Sequence, residues 1–158
     1  MACSKFHKFI NENNIPVATS FRRQDLFDHK NENFAGSFGT SVSPKLIDST
    51  KNSDLIIVLG ARLGEMTTQG YSIISPQDIS KNIMHIHVDP NELNKVFNAN
   101  VCINVGVNEC CDKLEELTLD NSDRWKEWRN ELNKNYLEDS KPQKNRNLNN
   151  LSKIFEIV

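Results

Sequence analysis

DLIIVLGARLGEMTTQGY, Asp54 to Tyr71, sets an apolar run of strand length against a glycine and then a polar loop. Leu55 to Leu59 is apolar at every position rather than every second one, which predicts a strand buried on both faces, as in a parallel sheet covered by helices. Such sheets bind ligands beyond the C-terminal ends of their strands. There stand Gly60 and Gly64, without the Cβ that keeps a backbone away from a phosphate or a neighbouring chain, and Arg62, a fixed positive charge. The stretch predicts a nucleotide contact or a subunit contact.

Upstream, Cys3, Phe6, Phe9 and Ile10 recur at helical spacing and predict a helix over Ala2 to Asn14. Ile15 to Thr19 reads as a short strand. Phe21 to Pro44 is rich in charged residues, Asn and Gly, and reads as a long loop with a short helical turn. Pro44 suits the first turn of a helix running through Lys45 to Thr50, with Ser43 as its cap.

Downstream, a loop runs to Ser80. Asn82 to Val88 makes the next strand, ended by Asp89 and Pro90; Pro90 and Asn91 open a short helix through Val96 and Phe97. Val101 to Val105 is a further strand, and past Gly106 a helix carries Cys110, Leu114 and Leu117 on one side. Helices alternating with strands predict an α/β domain, a mainly parallel Rossmann-like sheet flanked by helices.

From Ser122 to Glu138 a separate helix carries Trp125, Trp128, Leu132 and Tyr136 as one stripe that should lie against the domain's flank. Lys141 to Asn150 has almost no apolar content and reads as a flexible tether. The closing IFEIV turns apolar again and reads as the start of a further element. The expected organisation is therefore a central α/β domain over 1–119, a connector helix over 120–140, and a tether with the start of a following domain over 141–158.

Bulk properties narrow the function classes. Lys and Arg number 19 against 21 Asp and Glu, so the net charge of -2 leaves no basic footprint for nucleic acid and no polybasic handle for a membrane. No apolar stretch approaches the ~20 residues of a membrane span, and MACSKFHKF lacks the apolar core of a secretory signal. A cytoplasmic location is expected. Of the four cysteines, Cys110 and Cys111 are adjacent and cannot readily bridge each other, so no disulfide framework is read. His85 and His87 share one strand face as a metal pair would, yet a hydrogen-bonded polar strand face is favoured, and no metal site is expected.

The candidate site is Gly60, Ala61 and Arg62, with Asp89 at the end of the next strand placed to accept hydrogen bonds from a ribose. The alternative, which is favoured, is a tight strand-end turn at a domain interface. Arg22, Arg23, Gln24 and Asp25 offer a second choice between gripping an anion and an interdomain ion-pair cluster with Asp25 and Asp28, of which the cluster is favoured. Cys110 and Cys111 have no neighbouring base and are read as structural. Both tryptophans are read as core or docking anchors.

Four motifs in order carry a resemblance: PVATSFRRQDLFDH (Pro16 to His29), NFAGSFGTSVSPKL (Asn33 to Leu46), DLIIVLGARLGEMTTQGY, and HIHVDPNELNKV (His85 to Val96). Together they resemble the central domain of thiamine diphosphate-dependent enzymes of the acetolactate synthase-like and benzoylformate decarboxylase-like branch, over about Ile15 to Leu117. The resemblance implies the middle, structural or assembly domain of a decarboxylase or carboligase acting on 2-oxo acids. In that family one domain binds the pyrimidine of the cofactor and supplies a catalytic glutamate. Another holds the diphosphate and Mg²⁺ through a GDG followed by Asn, a motif not found in this sequence.

Thiamine diphosphate and Mg²⁺ are thus expected in the complete enzyme but not on this chain alone, with no catalytic residue placed here. The partners implied are the pyrimidine- and diphosphate-binding domains, within a homo-oligomer. FAD or ADP remains open as an unfavoured alternative, a stand-alone nucleotide-binding module: relatives that bind FAD tend to carry Asp where Val107 stands. A third reading is an assembly part that buries Phe34, Leu63 and Trp128 against a neighbour. The family opens this domain with a strand ahead of the first helix, which implies that the first, central strand is missing here. The expected result is a marginal or associating fold.

Overall fold

The computed structural model describes residues 2–141 apart from positions 79 and 121. The tether beyond Lys141 and the closing IFEIV lie outside the described residues. Helix α1 (Ala2–Glu12) opens the order, and strands β1 (Val17–Thr19) and β2 (Phe34–Ser37) follow, with a 3₁₀ turn at Gln24–Leu26 between them. Helix α2 (Pro44–Asn52), strand β3 (Leu55–Leu59), the single turn α3 (Glu65–Thr68) and strand β4 (Asn82–His87) come next. A 3₁₀ turn at Pro90–Glu92, strand β5 (Val101–Asn104), helix α4 (Val107–Leu114), a 3₁₀ turn at Ser122–Trp125 and helix α5 (Lys126–Asp139) complete the order.

Among the described residues every ladder is parallel, but the strands form two sheets rather than one: β1 with β2, and β3 with β4 and β5. The fold class is the α/β arrangement read from the sequence. Helix α2 lies across both sheets, with Leu46 in the core of the β1–β2 half and Ile47 against the core of the β3–β5 half. Phe38 packs against both cores.

Strand β2 lies inside the segment read as a loop. Phe34-Ala-Gly-Ser is short, contains a glycine and shows no apolar alternation, so its pairing with β1 is imposed by tertiary packing. Its anchor is Phe34, fully buried, with the His29 ring stacked on it at 4.3 Å and the Tyr136 ring edge-on at 4.7 Å. Asn133 of α5 donates to the carbonyl of Phe34 at 2.8 Å, so the connector helix supplies a hydrogen bond along β2.

Strand β3 forms where expected but corrects the reading of its burial. Ile56 and Val58 face a core of Leu63, Ile73, Ile74, Ile83 and Phe97. On the opposite face Leu55 is 46 % exposed and Ile57 49 % exposed. An unbroken apolar run shows that both faces are suited to burial; it does not show that this chain supplies the cover.

Smaller departures have local causes. Ser43 stands at the start of α2 without capping it, because its hydroxyl donates to Asp139 of α5 at 2.5 Å. In α5 Leu132 is buried as expected, but Arg129 rather than Trp128 is the other buried residue, and Trp128 is 37 % exposed. Phe9 and Ile10 of α1 are buried, whereas Cys3 is exposed. Among the described residues no helix is long and apolar enough to cross a membrane.

Candidate functional site at the strand ends

Gly60 closes β3 with its amide donating to Ile86 of β4 at 2.9 Å and a φ of +67°, a left-handed conformation that side chains rarely adopt. Its open side is occupied. A Cβ built on Gly60 would stand 2.8 Å from Cγ2 of Val107, the first residue of α4. The glycine therefore lets α4 approach the end of β3.

The following turn is fastened to β4 through the carbonyl of Ala61, 2.8 Å from Nε2 of buried His85. His85 and His87 lie 6.0 Å apart, ring centre to ring centre. Nδ1 of His87 lies 3.0 Å from the amide and 3.2 Å from the carbonyl of Asp89. Both histidines are engaged with backbone as the polar-face reading expected.

Asp89 ends this edge of the site. Its Oδ1 accepts from the backbone amide and the side-chain amide of Asn91, each at 2.9 Å, and these bonds hold the carboxyl below the usual carboxylate range, the backbone bond first. Asp89 thus caps the turn at Pro90–Glu92. Arg62 is exposed and lies close enough to Glu92 to help lower the Glu92 carboxyl, after the larger effect of its hydrogen bond from Lys95. Gly60, Ala61, Arg62 and Asp89 therefore belong to one rim, at the C-terminal ends of β3 and β4. The rim is held mostly by backbone contacts and faces solvent with Gly60, Arg62 and Asp89.

Elsewhere the named candidates are dispersed. Arg22 sits over the Phe21 ring at 5.1 Å, and among the described residues the ion pairs include neither Arg22 nor Arg23 with Asp25 or Asp28. Cys111 is buried, and burial pushes its thiol up to about 11. Phe34 and Leu63 are core residues, so of the apolar trio read as a docking face only Trp128 is exposed.

Two buried polar residues escaped the sequence reading. Asn13, with no exposure, donates to Phe9 O at 2.8 Å, accepts from the amide of Leu119 at 2.8 Å, and offers its own carbonyl to the indole of Trp125 at 2.8 Å. Arg129, 2 % exposed, pairs with Glu32 at 2.9 Å and donates to Asn14 at 3.1 Å. They pin the connector helix to α1. Lone Asn and Arg residues in polar surroundings give no periodic signal, so nothing in the pattern marks them.

Residues 1–114 match the family model described as the central domain of thiamine pyrophosphate enzymes. The chain belongs to that family. It is also 26 % identical over 117 residues to the acetolactate synthase large subunit of Corynebacterium glutamicum, a match covering 74 % of this chain and 18 % of that relative. The chain thus spans under a fifth of the length of the relative it matches.

Among the described residues no three His, Cys, Asp or Glu side chains gather to hold a metal ion. A cleft is lined by Ala35, Ser37, Ser43, Tyr136 and Asp139, whose carboxylate accepts from the Ser43 hydroxyl and lies 3.9 Å from Lys45. At Gly60, Val107 stands where a Cβ would point.

Proposed function

We propose that this central domain is the structural and assembly part of a thiamine diphosphate-dependent decarboxylase or carboligase acting on 2-oxo acids, and that it is not catalytic by itself. The observation that carries this is an apolar face of β3–β5 left open at its two outer strands, although Ile86 on the same face is buried. Leu55 and Ile57 share that face with Val101 and Ile103, the last two 42 % and 39 % exposed. Parallel sheets are ordinarily covered on both faces, so such a face calls for a neighbouring domain or subunit.

On this reading the pyrimidine- and diphosphate-binding domains, in a cytoplasmic homo-oligomer, hold thiamine diphosphate and Mg²⁺. The rim of Gly60, Ala61, Arg62 and Asp89 is a tight turn at their interface. In that chemistry the cofactor stores the carbanion left after addition to a carbonyl, and the protein supplies orientation and electrostatics. The close approach of Val107 to Gly60 favours a packed strand-end turn over a stand-alone FAD or ADP module.

Calorimetry on the full chain tests the reading, with thiamine diphosphate plus Mg²⁺, FAD and ADP titrated separately and pyruvate turnover followed in parallel. Flat traces and no turnover are expected. A saturable micromolar isotherm with FAD or ADP that Arg62→Ala weakens would replace the assembly reading with the nucleotide module. Turnover of pyruvate by the chain with only thiamine diphosphate and Mg²⁺ would overturn it.

A further inference from the structure

We infer that Cys3 of α1 and Cys111 of α4 are a redox-responsive pair, which a small disulfide such as oxidised glutathione closes into a covalent staple between the two helices. Helix α1 packs along α4. Lys5 donates to Asp112 at 2.9 Å and lies 3.2 Å from Glu115, while Lys8 lies 3.7 Å from Glu115. One turn forward on α1 is thus one turn forward on α4, so the helices run parallel, with partners 107 positions apart at Lys5 and Asp112 and again at Lys8 and Glu115. Carried back one turn, the same offset sets Cys3 level with Cys110 and Cys111. Burial chooses between these two. Cys111 is 1 % exposed, on the side of α4 that brings Leu114 against Phe9 and Ile10 of α1. Cys3 stands three and seven positions before Phe6 and Ile10, on the same face of α1. Facing positions at one level of a packed helix pair are where the backbones approach most closely, which is what a disulfide requires. Burial first, and then Cys110, Cys3 and Asp112, raise the Cys111 thiol, with Lys5 opposing, so Cys3 lies within electrostatic range of it.

The two thiols divide the chemistry by their exposure. Cys3 is exposed and reacts first: its thiolate attacks one sulfur of oxidised glutathione, expels one glutathione thiolate and is left as a mixed disulfide. Cys111 then gives its proton to solvent and attacks the Cys3 sulfur. The bond between Cys3 and Cys111 forms, the bond between Cys3 and glutathione breaks, and the second glutathione leaves as a thiolate. Two protein thiols are oxidised by two electrons and one glutathione disulfide is reduced to two thiols. Excess thiol reverses both steps. The staple acts on the strand-end rim, because α4 begins at Val107, the residue packed against Gly60. Closing the pair therefore ties α1 to the helix that closes the rim, and opening it releases α1.

The test treats the full chain with oxidised glutathione under native conditions, alkylates the remaining thiols and maps the peptides by mass spectrometry. An intramolecular cross-link between Cys3 and Cys111 is expected, together with a rise in the urea midpoint that dithiothreitol reverses. Cys111→Ala should leave glutathione on Cys3, and Cys110→Ala should leave the cross-link intact. Cys3→Ser alters an exposed position, so it should keep the fold and abolish the cross-link. A wild-type chain whose Cys3 stays free or keeps its glutathione overturns the inference. So does a cross-link from Cys3 to Cys110 or Cys102, or one found only between two chains. A urea midpoint that does not rise on cross-linking also overturns it, because the bond would then strain the packing of α1 on α4 instead of fastening it.

Discussion

The β1–β2 half and the β3–β5 half are built from similar parallel pairs, yet they finish their hydrogen bonds and faces differently. Around β2 the chain supplies its own cover: Phe34 is enclosed by His29, Phe27 and Tyr136, and Asn133 reaches the strand's backbone. Around β3 only one face is covered. Ile56 and Val58 look into a core while Leu55 and Ile57 look out. Burial is therefore a property of what surrounds a strand, and the more hydrophobic of the two strands is the more exposed one.

The contrast is sharpest in the cost of truncation. Phe34→Ala removes a fully buried ring from between three aromatic neighbours and should destabilise the chain by about 3 to 5 kcal/mol in urea unfolding. If the loss were under about 1 kcal/mol, the β1–β2 half would not be the well-packed one.

Next in size is a pH effect at Cys111, on the buried side of α4. Its raised pKa means that the fold favours the neutral thiol, so this stability is complete below the ordinary thiol value of 9.0 and is lost as pH rises from there through about 11. Urea midpoints should fall over that window, and Cys111→Ala should remove that part of the fall. At pH 8 the two-unit shift leaves Cys111 about 100-fold less thiolate than an ordinary thiol. Mass-spectrometric alkylation should therefore label exposed Cys3 and Cys102 long before it.

Gly60→Ala joins the halves of the comparison at the strand end. A positive φ and a Cβ only 2.8 Å from Val107 should together cost about 1 to 3 kcal/mol. Val107→Ala in the same chain should return part of that loss, measured as a double-mutant cycle. Additive effects would mean that α4 does not use the glycine. The smallest change belongs to the open face: Ile57→Thr should alter the stability of the isolated chain by no more than about 0.5 kcal/mol.

The same contrast explains what the sequence could tell. Leu55 to Leu59, Asn82 to His87 and Val101 to Asn104 were legible because dense apolar runs between turn residues carry a local signal. β2 was not, because Phe34-Ala-Gly-Ser owes its extended form to β1 and to rings distant in sequence. The rim at Gly60, Ala61, Arg62 and Asp89 could be placed from spacing alone. That Val107 fills the glycine's open side depends on the docking of α4, which no local pattern encodes.

The central claim is that, among the described residues, the strands form two separate parallel sheets and β3 is the unpaired edge of its own. Amide hydrogen exchange of the monomeric chain tests it most directly, by comparing neighbours on one strand. Gly60, bonded to Ile86, should be strongly protected and Ile57 should exchange nearly as fast as an open chain. Equal strong protection of Ile57 and Gly60 would contradict the account.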